Sequence, residues 1–411
     1  MKTTFFSVII LLSGLLIGCS TETIDTTPTI TTVSPSTAAA GTPIEITGKN
    51  FSTTATDNVV KINDVNVTVL SASETKLVVK VPVTTSGNLV VSTNSGISNK
   101  FNFNYGKSIL IAGGTYAGAY LWNNGTAIAL EDEKTGSNVA NSVFATDNDV
   151  YMAGSITNSN NHLTACYWKN TTLVKLTNGS TTAEAYSIFM NGQDIYVAGY
   201  EINSDGQSVA KYWKNGTAIS LSNGIHDATA TGVFINGSDV YVSGYEDNGM
   251  GDKAKYWKNG IAVQLSDLDH YAQTSSIYVN GTDVYVTGHV TGTYGDAVYW
   301  KNGTMVILPS GTTYGANGTS VYVKGTDVYV AGKVYIDSPQ NSQAVYWKNG
   351  VKTNLTTSTN TNGEAKSIFV YDSDVYVTGN EGQYSGKYWK NEIVTTLYSS
   401  SACSMNGIIV K

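Results

Sequence analysis

The sequence predicts an all-β chain, a small β-sandwich followed by a closed ring of seven four-stranded repeats, and three observations carry that prediction. All seven Trp fall in one recurrent motif, at Trp122, Trp168, Trp213, Trp257, Trp300, Trp347 and Trp389, with steps of 46, 45, 44, 43, 47 and 42 residues. Gly is abundant at 41 and Pro scarce at 6, as expected of many short strands joined by tight turns. The C-terminal Ile408-Ile409-Val410-Lys411 repeats the pattern of Val321-Tyr322-Val323-Lys324, and the chain stops where the next strand should begin.

Length and composition agree. With 411 residues the chain exceeds one ordinary domain of roughly 100–200 residues. Apolar residues at 41% against 13% charged leave enough to bury a core, which excludes wholesale disorder. The basic count of 24 is all Lys, no Arg occurs, and the formal net charge is −7. That balance weighs against a nucleic-acid partner, whose phosphates need dense basic side chains. It also removes the usual bidentate clamp for carboxylate or phosphate.

At the N-terminus, Met1-Lys2 precedes an apolar run over residues 5–17, too short for a membrane span of ~20 residues and suited to the core of an export signal. The following Leu16-Ile17-Gly18-Cys19 resembles the lipobox of bacterial lipoproteins, here Bacteroidetes-like ones. That resemblance implies a signal peptide over 1–18, acylation of Cys19, a polar Thr-rich linker over 19–27, and attachment to the outer membrane or cell surface through lipid. Cys166 and Cys403 remain, and spacing alone leaves their pairing open.

Residues 28–105 alternate in short segments such as Ile44-Glu45-Ile46-Thr47 and Leu77-Val78-Val79-Lys80-Val81, with Gly and Pro turns between them, a sandwich pattern. Ile30, Pro35, Gly41-Thr42, Ile46-Thr47-Gly48, Asn50-Phe51, Val81-Pro82, Gly87, Val91 and Phe103-Asn104-Tyr105 resemble the IPT/TIG family of immunoglobulin-like domains. In such a domain Gly48 would permit a turn, Phe51 would plug the core and Pro82 would close an edge strand. The resemblance implies a spacer or binding module without chemistry.

From 107 to 411 the period of roughly 40–50 residues indicates a propeller, here seven-bladed. One unit reads Ser187-Ile188-Phe189-Met190-Asn191-Gly192, Asp194-Ile195-Tyr196-Val197-Ala198-Gly199, a variable loop, Ala210-Lys211-Tyr212-Trp213-Lys214-Asn215-Gly216 and Ala218-Ile219-Ser220-Leu221, four strands in all. Asn191-Gly192 and Asn215-Gly216 are both expected to form type I′ hairpin turns at one end of the blade. Tyr212 and Trp213 should face opposite neighbouring blades. The C-terminal strand should join a blade completed by residues 108–130.

The variable connections then gather at the other end, where function tends to lie. Tyr200-Glu201, Tyr245-Glu246 and His289 follow the expected second strand in one register on neighbouring blades, and His270, Tyr271 and Tyr314 lie in adjacent connections. Rings beside carboxylates and imidazoles suit a sugar or a polar peptide segment. Asp149, Asp194, Asp239, Asp283, Asp327 and Asp374 are expected to make turn contacts to backbone, and the Lys after each Trp to be solvated. His270 with Asp267 and Asp269 lacks a metal-specifying spacing. No Gly-x-Ser-x-Gly, phosphate-cradling loop or Cys-x-x-Cys occurs, so neither cofactor nor metal is expected. Two function classes stay open. One is a non-catalytic surface protein that binds a glycan or protein; the other is a propeller enzyme acting on an extracellular polysaccharide with carboxylates from Glu201, Glu246 and Glu381.

Overall fold

The computed structural model describes residues 25–82, 84–133, 138–146, 149–266, 270–291, 295–338, 341–357, 362–399 and 402–411. The export signal, Cys19, Asp267 and Asp269 lie outside the described residues. Strands dominate; among the described residues one helical turn occurs, Ala55–Asp57. Among the described residues no helix is long and apolar enough to cross a membrane.

The first unit is a sandwich of antiparallel strands paired in the order Thr29–Ser34, Pro43–Lys49, Lys76–Lys80, Val65–Ser73, Val59–Ile62, Gly87–Thr93 and Phe101–Tyr105. Alternation does the sorting: Ile44 and Ile46, Leu77 and Val79, and Leu89 and Val91 point inward and are buried. Phe51 plugs the core as expected, but Gly48 makes no turn. It lies inside Pro43–Lys49, where a Cβ would stand 2.4 Å from the Phe51 ring, so its lack of a side chain makes room for that plug. The left-handed position belongs to Asn50, at φ 60°.

The second unit is a ring of seven four-stranded blades, numbered here from the N-terminal side. Blade 3 is typical, with strands Ala183–Asn191, Asp194–Ile202, Ser208–Lys214 and Thr217–Ser220. Blade 1 takes Ile109–Thr115, Gly118–Asn123 and Thr126–Ala129 from one end of the chain and Cys403–Val410 from the other, with Ile109 opposite Val410 and Thr115 opposite Cys403. The first strands of successive blades touch one another around the ring, so they are innermost. Every Trp is almost fully buried. Trp213 packs on Tyr151, Ala153 and Ala165 of blade 2, while Tyr212 turns to blade 4, which is why two aromatics can stand side by side in the chain.

The two hairpins of a blade differ. Asn215 and Gly216 have φ of 50° and 83°, the type I′ pattern. Asn191 instead pairs with Asp194 inside the ladder, leaving Gly192-Gln193 as the loop with only the glycine at positive φ, the type II′ pattern. The recurrent Asp also departs from expectation. Asp194 binds side chains, not backbone: Oδ1 accepts from Asn215 Nδ2 at 2.8 Å, and Oδ2 lies 2.9 Å from Lys214 Nζ, which sits over the Tyr196 ring. Asn215 makes the backbone contact, its Oδ1 accepting Ile195 N–H at 2.8 Å. The blade-end lysines are therefore paired as well as half-exposed. Cys166 and Cys403 are both free.

Candidate functional site

The innermost strands build the site through one repeated irregularity. In blade 3, Ala185 pairs with Gly199 and Ser187 with Ala198, so Tyr186 opposes nothing and forms a β-bulge. The same slip leaves Asn141, Thr231, Ser275, Thr319, Lys366 and Asn406 unpaired in the other six first strands. All seven of these side chains line a central cavity of about 500 Å³. The second-strand glycine explains why the slip fits: a Cβ on Gly199 would stand 1.9 Å from the Glu184 carbonyl oxygen. Each bulge lies near the start of its strand, so the cavity occupies the loop end of the ring.

Below the bulges the ring is stitched and closed. The Ser142 hydroxyl accepts Ile188 N–H, Ser187 accepts Val233 N–H at 3.2 Å, and Ser320 and Ser367 repeat the contact onto Ile368 and Ile408. Each serine thus ties one innermost strand to the next. Towards the hairpin end, Phe144, Phe189, Phe234, Tyr278, Tyr322 and Phe369 follow one another with ring centroids 5.0, 4.7, 4.9, 5.0 and 4.9 Å apart. Ile409 holds the seventh place. The cavity, here the cup, opens on the loop side of these rings.

The mouth is polar and uneven. On blade 3, Glu184 accepts from the Tyr186 hydroxyl at 2.9 Å and from Asn141 Nδ2 at 3.2 Å, and Tyr186 stacks on Tyr200. Burial first, and then the Glu184 charge, push the Tyr186 phenol far up, which keeps it a donor. On blade 5, burial and then Lys333 hold His289 below its ordinary value, Asp252 opposing in part. On blade 7, Glu364 lies 2.6 Å from Lys366 Nζ and 3.3 Å from Lys333 Nζ. Burial opposes its ionisation, yet the two lysines prevail and hold the carboxyl below the usual range.

The structure brings together part of the sequence-derived set. Tyr200, Tyr245 and His289 do share a register, each paired with a first-strand residue at the mouth: Glu184, Thr229 and Gln273. They do not follow the second strand, however; the strand runs on through them to Ile202, Asp247 and Val290. Tyr245 and His289 line the cup, and Tyr271 packs beside His289 at 6.1 Å between ring centroids. Glu201 and Glu246 alternate to the opposite strand face, where Lys211 and Lys255 each hold them at 2.6 Å. Glu381 is paired with Lys387 in the same manner. His270 and Tyr314 lie in connections outside the cup lining, the His270 carbonyl accepting from the buried Lys253. Among the described residues no group of three His, Cys, Asp or Glu gathers as metal ligands would. The bulge residues, Lys333 and Glu364 escaped sequence reasoning. Their signal is the recurrent frame Ala140-Asn141-Ser142, Ala185-Tyr186-Ser187 and Ala365-Lys366-Ser367.

Comparison with known proteins adds the following. Residues 28–105 match the IPT/TIG domain. No curated protein matches the chain. Similar solved structures include an auxiliary nutrient binding protein from Bacteroides thetaiotaomicron, 14% identical with a TM-score of 0.36, the match covering 93% of this chain and 98% of that one. Another from Bacteroides ovatus is 13% identical with a TM-score of 0.35, covering 85% and 95%. Trypanosoma rangeli sialidase is 10% identical with a TM-score of 0.41, covering 69% and 56%.

Proposed function

We propose that this chain is a lipid-anchored protein of the outer membrane or cell surface that captures the end of a glycan, without catalysis, in the loop-side cup of a propeller over 107–411. Cys19 carries the acyl chains and the sandwich over 28–105 spaces the ring from the lipid. The observation that carries the reading is the seven-membered ring of bulged side chains, six of them neutral and polar, around a cup of about 500 Å³. Such a lining exchanges hydrogen bonds with hydroxyls from several directions, and Tyr186 and Tyr245 add flat apolar contact. Glu364, the carboxylate in the cavity wall, is ill suited to the acid role in hydrolysis. A glycosidase needs one carboxyl held protonated, whereas Glu364 is held below the usual range. Glu201, Glu246 and Glu381 are engaged with lysines.

A glycan array probed with the protein, with product analysis of the same glycans, tests this. Retention without cleavage is expected, and Tyr186→Ala with Tyr245→Ala should weaken it about tenfold or more, as the loss of two aromatic contacts and a hydroxyl donor implies. Lys214→Ala, at the hairpin end, should leave it unchanged. Released product, or equal losses from both ends, would overturn the reading. In cells Cys19→Ala should move the protein out of the membrane fraction; continued sedimentation with membranes would refute the anchor.

A further inference from the structure

We propose that the cup selects sugars bearing a carboxylate, and that Lys366 and Lys333 together bind that group. The inference rests on the glycan-capture reading and narrows it to a ligand class. Lysine occurs once in each of two rings of the site. At the bulged position the other blades place Asn141, Tyr186, Thr231, Ser275, Thr319 and Asn406, and only blade 7 places a cation, Lys366. Across from the mouth residues, blades 3, 4, 5 and 7 place Tyr200, Tyr245, His289 and Asn380, while blade 6 places Lys333 opposite Asn317. Blades 6 and 7 are neighbours, so the two single exceptions meet, with both ammonium groups on the one carboxylate of Glu364.

Two cations and one anion leave a local positive excess inside a chain of net charge −7. Each ammonium has three donors, and Glu364 takes one from each. A second hollow of about 240 Å³ opens against the same three side chains, with Asn362, Asn380 and Gln383 in its wall. Charged donors beside amide groups in a small recess match a planar carboxylate with its two oxygens. Hydroxyls elsewhere on the glycan would meet blade 3, where the Glu184 carboxylate and the Tyr186 oxygen, whose own proton Glu184 takes, can accept. One niche of this size in an acidic protein suits a single acidic sugar at a chain end and opposes a dense polyanion.

The test titrates the full chain in detergent with trisaccharides of glucuronate, galacturonate and mannuronate and with their neutral hexose counterparts. At least one acidic member should bind about tenfold tighter than its neutral counterpart, the worth of one charge-assisted hydrogen bond, and the preference should shrink as salt rises. Lys366→Met should abolish the preference, so that acidic and neutral members bind alike. Glu364→Gln should tighten acidic binding severalfold by releasing both ammonium groups, a gain that a misfolded variant would not show. Equal binding of acidic and neutral members, or a preference that survives Lys366→Met, would overturn the acid subsite while leaving glycan capture standing. Failure of every sugar in both sets to bind, with Tyr186→Ala without effect on the glycan array, would overturn both.

Discussion

A methyl group on Gly199 would meet the Glu184 carbonyl oxygen at 1.9 Å, and the equivalent clash at Gly288 involves Gln273. No rotamer relieves a contact with backbone, so Gly199→Ala must push the first strand away and disturb the bulge that aims Tyr186. A cost of about 3 kcal/mol is expected, read as a lowered denaturant midpoint, since inserted volume in a packed site costs this order. An unchanged midpoint would show that the strand crossing is looser than drawn. His289 bears on pH. Burial and Lys333 hold its imidazolium below the ordinary value of 6.5, so the folded state resists a proton that the unfolded chain accepts. Its penalty is absent above pH 6.5 and grows as pH falls below it. His289→Asn should flatten the fall of Tm between about pH 7 and 5; an unaltered slope would mean that the folded state takes the proton freely.

The strands themselves were legible, because alternation and Asn-Gly turns are local. The bulge was not. Tyr186, Thr231 and Lys366 share a position without sharing a chemistry, and a one-residue slip leaves the residue types on either side intact. What repeats in most blades is its support: an alanine or other small residue before it in six of them and a serine after it in five, with Gly232 and Gly407 in the other two. Ser187 accepts Val233 N–H at 3.2 Å from the next blade. Ser187→Ala should therefore orphan a part-buried donor and cost about 1–2 kcal/mol, while Ser187→Thr should retain part of it. A neutral Ser187→Ala measured by denaturant unfolding would mean that water or a shifted strand replaces the bond. Strand alternation also explains the mixed fate of the candidate patch. Tyr245 and Glu246 are neighbours in sequence and therefore opposed in space, one in the cup and one bound to Lys255.

Seven blades read from seven Trp gave the ring, and its closure was legible because the two chain ends complement each other as strands of one sheet. The cup was less so, since its ring of bulged side chains and its uneven charge exist only once the blades are set in a circle. Closure is also where the whole fold is most exposed to a single cut. Cys403–Val410 pairs with Ile109–Thr115 along its length and buries Met405, Ile408 and Val410. Its bulged Asn406 completes the ring of the cup, and the Ser367 hydroxyl accepts Ile408 N–H from it. Removing residues 404–411 would uncover the inner edge of blade 1 and the apolar faces that Met405, Ile408 and Val410 cover, an open edge of the kind that proteins avoid. Three buried apolar side chains at ~1.5–3 kcal/mol each imply a loss of about 5 kcal/mol or more. For a unit of this size that is a fall in Tm on the order of 10 °C. The same truncation should abolish glycan retention, because the cup loses one wall. Calorimetry of the truncated chain decides the matter: a Tm within a degree or two of the full chain would mean that six blades and a fragment hold the ring without their clasp.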